Sequence, residues 1–425
     1  MKVNIAACGK FHYGSYVRYV AERHLLGKFF YSHRLSTDRS ALGLPRGVAE
    51  NIWIKEYLVG IHYRLLGSRG ITQVTGLYGE LWQAILLLRW RQCDVFHFLV
   101  HGSCLRALDR AKREGSVTLG EPVHAHPLVM NQLVNEEYQR LGLRAHQPMS
   151  PVHRRQIEEA RTCDFLLAPS SWVKQSFVAN GLPEEKIGIL PYGVDTSRFV
   201  PPAQPPPRRP FRVICVASIT PCKGHAYLLE AWKRLRLADA ELVLVGGLSC
   251  HMAPLMRKYA GSFLHLPHVP NAKLPEHYGS SSVFVLPSVQ DGFGVVALEA
   301  QACGLPAIVT SNCGAADAIA HGTDGFVAPA RSADQLAHYL ELLYRDEPLR
   351  QSMSQAAARK AKASFGWDQY AEKLCQTYRG LWAARNGPAS PAAQEARPIQ
   401  GRGGDGFVPA SFRPAGARSG DEAVP

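Results

Sequence analysis

Residues 287–306, PSVQDGFGVVALEAQACGLP, hold the densest pattern in the 425-residue chain. The apolar run Ser282–Leu286 predicts a strand that ends at Pro287, and a loop containing Gly292 and Gly294 follows it. A helix is expected from Val295 to Cys303, stopped by Gly304 and Pro306 before the next apolar run, Ala307–Thr310. Strand, glycine loop, helix and strand in that order form the unit of a parallel sheet with crossover helices. The glycines permit positive φ and close backbone approach, and the free N–H groups at the helix start favour an anion such as a phosphate. Asp291 lies in the loop and Glu299 on the helix; at that spacing they are expected to face different parts of one ligand rather than share a proton.

The same alternation extends in both directions. Upstream, Val3–Cys8, Asp94–Phe98, Ser116–Leu119 and Phe165–Ala168 predict strands, with helices near Tyr16–Leu26, Leu105–Glu114, Leu128–Leu141 and Trp172–Asn180. Around the opening stretch, Arg212–Ala217 and Glu241–Val245 predict further strands, with helices at Ala226–Leu235, Ala333–Leu343 and Trp367–Leu381. Pro201–Pro210, PPAQPPPRRP, has six prolines in ten residues and reads as a stiff linker. Residues 386–425 include 21 Gly, Pro or Ala and are expected to be a disordered tail. The expected organisation is therefore a doubly wound α/β domain over 1–200, a linker over 201–210, a second such domain over 211–385, and the tail. Two such domains place a cleft between the carboxyl ends of their sheets, where ligands bind.

Composition narrows the function. Hydrophobic residues make up 46% and charged residues 20%, so a folded core needs neither disulfides nor metal. No apolar run reaches the length of a membrane span, and the start, MKVNIAACGKFHYG, lacks the apolar stretch of an export signal. The ten cysteines form no Cys-x2-Cys pair, which argues against a zinc site and for reduced thiols in the cytoplasm. The net charge is +13, of which residues 1–200 carry +8, without any block of five like charges. No aromatic residues alternate with Lys and Arg in the manner of a nucleic-acid groove, so a nucleic-acid partner is not expected. A basic first half with apolar helical stretches near Tyr57–Leu66 and Leu81–Arg91, flanked by Arg64, Arg69, Arg89 and Arg91, suits either an anionic membrane surface or burial of those faces in the core.

Three further segments carry candidate site residues. Ala217–His225, ASITPCKGH, follows the first strand of the second domain and places Lys223 where a point charge would meet phosphate. Gly120–Pro127, GEPVHAHP, follows a strand of the first domain, and Glu136-Glu137-Tyr138 comes ten residues after His126. Gly9-Lys10-Phe11-His12 forms a glycine-bearing turn after the first strand.

Together these segments resemble the retaining glycosyltransferases of family 4, which have the GT-B fold of two Rossmann-like domains facing a central cleft. Their signature, P-S-x-x-E-G-F-G-x-x-x-x-E-A-x-A-x-G-x-P, matches at Pro287, Ser288, Gly292, Phe293, Gly294, Glu299, Ala300, Ala302, Gly304 and Pro306. Asp291 stands at the first acidic position in place of Glu, and Ser218 stands where an Arg usually assists Lys223. The segment Leu190–Phe199, LPYGVDTSRF, is similar to the P-x-G-V-D-x-x-x-F that precedes the family's linker.

The resemblance implies roles residue by residue. Glu299 would accept hydrogen bonds from ribose hydroxyls, and Lys223 with Ser218 would meet the donor diphosphate. Asp291 and the Gly292-Phe293-Gly294 loop would approach the donor sugar, His126 would face that sugar from the first domain, and Gly9 and His12 would open toward the acceptor. The implied reaction moves a sugar from a nucleotide diphosphate sugar, a co-substrate rather than a cofactor, to a hydroxyl of a glycan, lipid-linked or small-molecule acceptor, with the configuration retained, in polysaccharide or glycoconjugate synthesis. No Asp-x-Asp pair exists, so no metal is expected. The expected location is the cytoplasm or the inner face of the cell membrane. Two other readings stay open: another GT-B enzyme, a nucleotide-sugar epimerase or a phosphorylase, and a non-catalytic basic binding protein.

Overall fold

The computed structural model describes residues 1–9, 11–33, 42–45, 47–66, 71–144, 149–203 and 210–386. The middle of the Pro-rich linker, Lys10, Arg69 and the expected tail from residue 387 lie outside the described residues. Seven parallel strands form the first sheet: β1 (Val3–Ala7), β2 (Leu26–Tyr31), β3 (Ala49–Asn51), β4 (Val95–Leu99), β5 (Val117–Glu121), β6 (Phe165–Ala168) and β7 (Ile187–Ile189). Their order is β3-β2-β1-β4-β5-β6-β7. Six form the second: β8 (Phe211–Val216), β9 (Ala240–Val245), β10 (Leu264–Leu266), β11 (Val283–Leu286), β12 (Ala307–Thr310) and β13 (Gly325–Ala328), in the order β10-β9-β8-β11-β12-β13. Each order reverses once, between β1 and β4 and between β8 and β11, and the loops at those switch points open a crevice at the carboxyl edge of each sheet.

The strands are continuous apolar runs because helices cover both faces. Val283, Phe284, Val285 and Leu286 of β11 have no exposed surface at all, and each such side chain contributes about 1.5–3 kcal/mol on leaving water. Helices begin where capping chemistry allows: Ser150 caps helix Pro151–Thr162 in a reciprocal box with His153, and Ser170 caps helix Ser171–Val178.

Three local expectations change. The first helix spans Tyr13–Glu22 and stops before Leu26, because His24 takes φ 57° and turns the chain into β2. The short strands β3, β7, β10 and β13 complete the sheets at positions with no apolar run of strand length. The helix Trp367–Asn386 follows the second domain in sequence but packs on the first. There the Tyr378 hydroxyl lies 2.6 Å from His97 Nδ1, and Glu372 pairs with Arg23 at 2.8 Å. Residues 1–385 consequently form one compact unit, with the chain crossing between the sheets at the linker and again near Phe365, whose carbonyl accepts from the Val194 N–H at 2.7 Å.

Candidate active site

The loops that follow β8 and β11 build one wall of the cleft between the sheets. After β8 the chain passes Ser218, turns through Pro221–Lys223, and enters helix His225–Leu235 at Gly224, which has φ +69°. A Cβ on Gly224 would lie 1.8 Å from the Pro287 carbonyl oxygen, so only glycine lets the Lys223 loop rest on the loop after β11. Lys223 Nζ then sits 2.5 Å from Asp291 Oδ2. Burial opposes the ammonium charge, yet the adjacent carboxylate raises the Lys223 pKa above the usual lysine value.

Gly294, at φ +81°, is the N-cap of helix Val295–Ala302. The N–H groups of Val295 and Val296, in the first turn, have no partner within the helix, and both residues line the cleft. About one turn on, Glu299 is 8% exposed, and its Oε2 accepts from the Tyr278 hydroxyl at 3.2 Å. Burial raises its pKa, partly offset by the Tyr278 hydrogen bond and the charge of Arg198.

The facing wall comes from the first domain and from the two places where the chain crosses between the sheets. Phe11, His12, Ser15 and Arg18 line it after β1, Val123 and His124 after β5, and Tyr192–Phe199 with Trp367 and Asp368 close its back. The space enclosed is about 1350 Å³, enough for a nucleotide sugar with an acceptor beside it. His12 stacks on Trp367 with ring centroids 5.8 Å apart, and burial, opposed by the charge of Glu121, lowers its pKa.

Most of the expected residues meet here. Ser218, Lys223, Asp291, Phe293, Gly294, Glu299 and His12 all line the cleft. The Phe293 ring packs edge-on against Tyr192, centroids 5.4 Å apart, and keeps only 3% of its surface exposed. Gly292 is used at the domain contact: a Cβ there would be 2.1 Å from the Val123 carbonyl oxygen, and its own carbonyl accepts from Ser170 Oγ at 2.9 Å. Gly9 does not reach the cleft surface; at φ +147° it turns the chain so that Phe11 and His12 do.

His126 is the main correction. It is fully buried as the N-cap of helix Pro127–Arg140, where Nδ1 accepts from the Leu128 N–H at 3.3 Å and the ring packs on Phe177. Burial and the charge of Arg161 push its pKa down to about 4. The imidazole that faces the second domain is His124, two residues earlier. It is open to the cleft but surrounded by its walls, and this desolvation lowers its pKa, with the Asp291 charge opposing and Lys223 assisting. The sequence signal was present: His126 precedes Pro127, and proline at the first helical position makes the residue before it a cap. Asp195–Arg198 and Trp367 carry no sequence signal of a place in the cleft, and only the long-range fold brings them there.

A cation paired with a carboxylate, a helix N-terminus, a buried carboxylate and an imidazole across from them thus meet in one cleft between two parallel-sheet domains. Residues 198–360 match the model of the family described as "Glycosyl transferases group 1", and residues 49–198 match that of "Glycosyltransferase Family 4". A D-inositol 3-phosphate glycosyltransferase of Pseudarthrobacter chlorophenolicus is 31% identical over 345 residues, covering 75% of this chain and 79% of the relative. A GDP-mannose-dependent alpha-(1-6)-phosphatidylinositol monomannoside mannosyltransferase of Mycobacterium tuberculosis is 31% identical over 245 residues, covering 52% of this chain and 63% of the relative. In fold, the chain is similar to the sucrose-phosphate synthase of Thermosynechococcus elongatus, with TM-score 0.69 at 18% identity, covering 90% of this chain and 99% of that one. It is also similar to the Anabaena protein HepE in complex with UDP and glucose, with TM-score 0.63 at 15% identity, covering 89% and 100%. The chain belongs to glycosyltransferase family 4 and is an enzyme that moves a sugar from a nucleotide sugar to an acceptor.

Proposed function

We propose that the transfer retains the anomeric configuration of a nucleotide diphosphate sugar held along the second-domain wall. The supporting observation is that Lys223, paired with Asp291, the start of helix Val295–Ala302 and Glu299, all from the second domain, line the same cleft. Glu299 accepts from the ribose diol, a task for a carboxylate with two acceptor oxygens. The diphosphate lies over the helix start, and Lys223 exchanges Asp291 for a phosphate oxygen, which frees Asp291 to hold hydroxyls of the donor sugar. As the bond between the anomeric carbon and the diphosphate oxygen breaks, these groups stabilise the charge on the leaving group. That same oxygen takes the proton of the acceptor hydroxyl, whose oxygen bonds to the anomeric carbon on the same face. His124, uncharged, hydrogen-bonds a sugar hydroxyl from the first domain. With no Asp-x-Asp pair in the chain, the leaving charge is met by these groups and not by a carboxylate-held divalent ion.

The acceptor we propose is lipid-linked, reached by docking of the first domain on an anionic membrane at the inner face of the cell. Among the described residues no helix is long and apolar enough to cross a bilayer. The paired helices Ile54–Leu66 and Ile71–Leu88 nevertheless expose Leu65, Leu66, Leu77 and Leu88, the last 86% exposed, beside Arg64 and Arg91. Apolar side chains flanked by arginines suit the interfacial zone, and the named relatives act on an inositol phosphate and on a phosphatidylinositol mannoside. The ten cysteines are unpaired, in keeping with a reducing compartment.

Thermal denaturation against UDP, GDP, ADP and their sugars tests the donor. A ligand at 100 times its Kd adds about 2.7 kcal/mol of stability, and no stabilisation by any of them would remove the proposal. The product's anomeric coupling, read by NMR, decides retention. Sedimentation with phosphatidylglycerol vesicles at low salt, lost at high salt and absent with neutral vesicles, is expected; equal partitioning with both would remove the membrane proposal.

A further inference from the structure

The motif Glu136-Glu137-Tyr138 lies far from the reacting groups, yet all three residues reach the second domain. Arg331, in the loop after β13, directs Nη1 to Glu136 at 2.9 Å, Nε to Glu137 at 3.0 Å and Nη2 to the Leu133 carbonyl at 3.3 Å. These three acceptors sit at i, i+3 and i+4 on one face of helix Pro127–Arg140, so one guanidinium reads a single helix stripe. Tyr227 of the second domain donates to Glu137 as well, at 3.1 Å, and the Tyr138 ring meets His251 edge-on at 5.4 Å. The Glu137 side chain is fully buried, and Arg331 holds φ 66°, a left-handed conformation that a non-glycine residue keeps only when its surroundings fix it.

The other end of the same helix is also fixed. The loop that leads into it touches the second domain where Gly292 lies against the Val123 carbonyl, and that loop carries His124. About ten residues of helix, roughly 15 Å, separate the two attachments. The helix is thus a rigid strut between the domains, with the site's imidazole at one end and the guanidinium clamp at the other.

We propose that Arg331, through Glu136 and Glu137, is a positioning residue that sets the gap between His124 and the Lys223–Asp291 pair. This rests on the reading of the cleft as the site of sugar transfer. The nucleotide contacts belong to the second domain alone, so releasing the clamp lets the strut swing and harms the chemical step while leaving nucleotide binding intact.

The test uses the full chain carrying Arg331→Ala and Arg331→Lys. Three readouts are taken: radius of gyration by small-angle X-ray scattering without ligand, Kd for UDP and GDP by calorimetry, and kcat with UDP-glucose and GDP-mannose. For Arg331→Ala we expect a larger radius of gyration, an unchanged nucleotide Kd and a kcat lowered by up to about a hundredfold, the loss that an ångström of misplacement far from the chemistry can cause. Arg331→Lys should recover part of both losses, since an ammonium pairs with one carboxylate but lacks the fork. Should Arg331→Ala fail to fold, Tyr227→Phe is expected to give the same split on a smaller scale. An unchanged radius and kcat would overturn the proposal, as would equal losses of nucleotide affinity and kcat with Lys no better than Ala. A wild-type chain that binds neither nucleotide would remove the donor assignment, and scattering would still decide the clamp.

Discussion

Gly292→Ala tests whether catalysis needs the two domains to meet as they do here. A Cβ at this position would lie 2.1 Å from the Val123 carbonyl oxygen, 2.9 Å from its carbon and 3.1 Å from His124 Cα. All three are backbone atoms, so no side chain can swing aside. Ordinary contact begins at 3.4 Å, and relief requires the walls to part by about 1.3 Å. The Gly292 φ is not left-handed, so the added methyl strains nothing within its own loop. Its effect should therefore fall on the gap between domains, moving His124 away from Asp291. A displacement of that size far from the bonds being made can cost about a hundredfold in rate, or about 2.7 kcal/mol of barrier. Initial rates at saturating donor measure it, with nucleotide Kd as the control. Wild-type kcat and melting temperature in Gly292→Ala would refute the reasoning, because the two backbones could not then be in contact during turnover.

Gly224→Ala adds a left-handed penalty of about 1–2 kcal/mol to a clash 1.8 Å from the Pro287 carbonyl, so thermal denaturation should show a clear fall in melting temperature; no change would mean that the Lys223 loop does not rest on the β11 loop. His124→Ala should lower kcat with the fold intact, whereas His126→Ala should lower stability by about 1 kcal/mol through its lost cap and leave kcat nearly unchanged; the reverse pattern would restore His126 to the site. The raised Glu299 pKa has two consequences. The folded protein holds that proton more tightly than the unfolded chain, so the stabilising contribution is present below the ordinary Glu value and lost as pH rises through the folded pKa. Nucleotide affinity should change in the opposite sense, falling as acid protonates the ribose acceptor, and Glu299→Gln should flatten both profiles in urea midpoints and calorimetry; an unaltered pH dependence in that variant would contradict the assignment.

What the sequence made legible follows from the range of the interactions involved. Strands β8, β9, β11 and β12 are buried on both faces, so their continuous apolar runs announce them. The expected first helix runs on to Leu26, the first residue of β2, because only His24 at positive φ ends it, and nothing in a histidine signals that turn. Lys223, Asp291 and Glu299 were legible because each sits in a loop or helix start whose glycines are local requirements. Which of His124 and His126 faces the cleft depends on where one helix begins. The Glu136-Glu137-Tyr138 motif was visible as spacing, but its partners Arg331, Tyr227 and His251 lie on the other domain. The last helix was visible as a helix, while its place against β4 through His97 and Tyr378 depends on the return of the chain to the first domain.

If the nucleotide of the donor sits on Glu299, calorimetric titration of the most stabilising nucleotide into wild type and Glu299→Ala measures that contact directly. A charge-assisted hydrogen bond to the ribose contributes about 1.5–3 kcal/mol, so the variant should bind ten- to a hundredfold more weakly while still melting in one cooperative transition above the titration temperature. Equal affinity in the two proteins would place the nucleotide elsewhere and contradict the account.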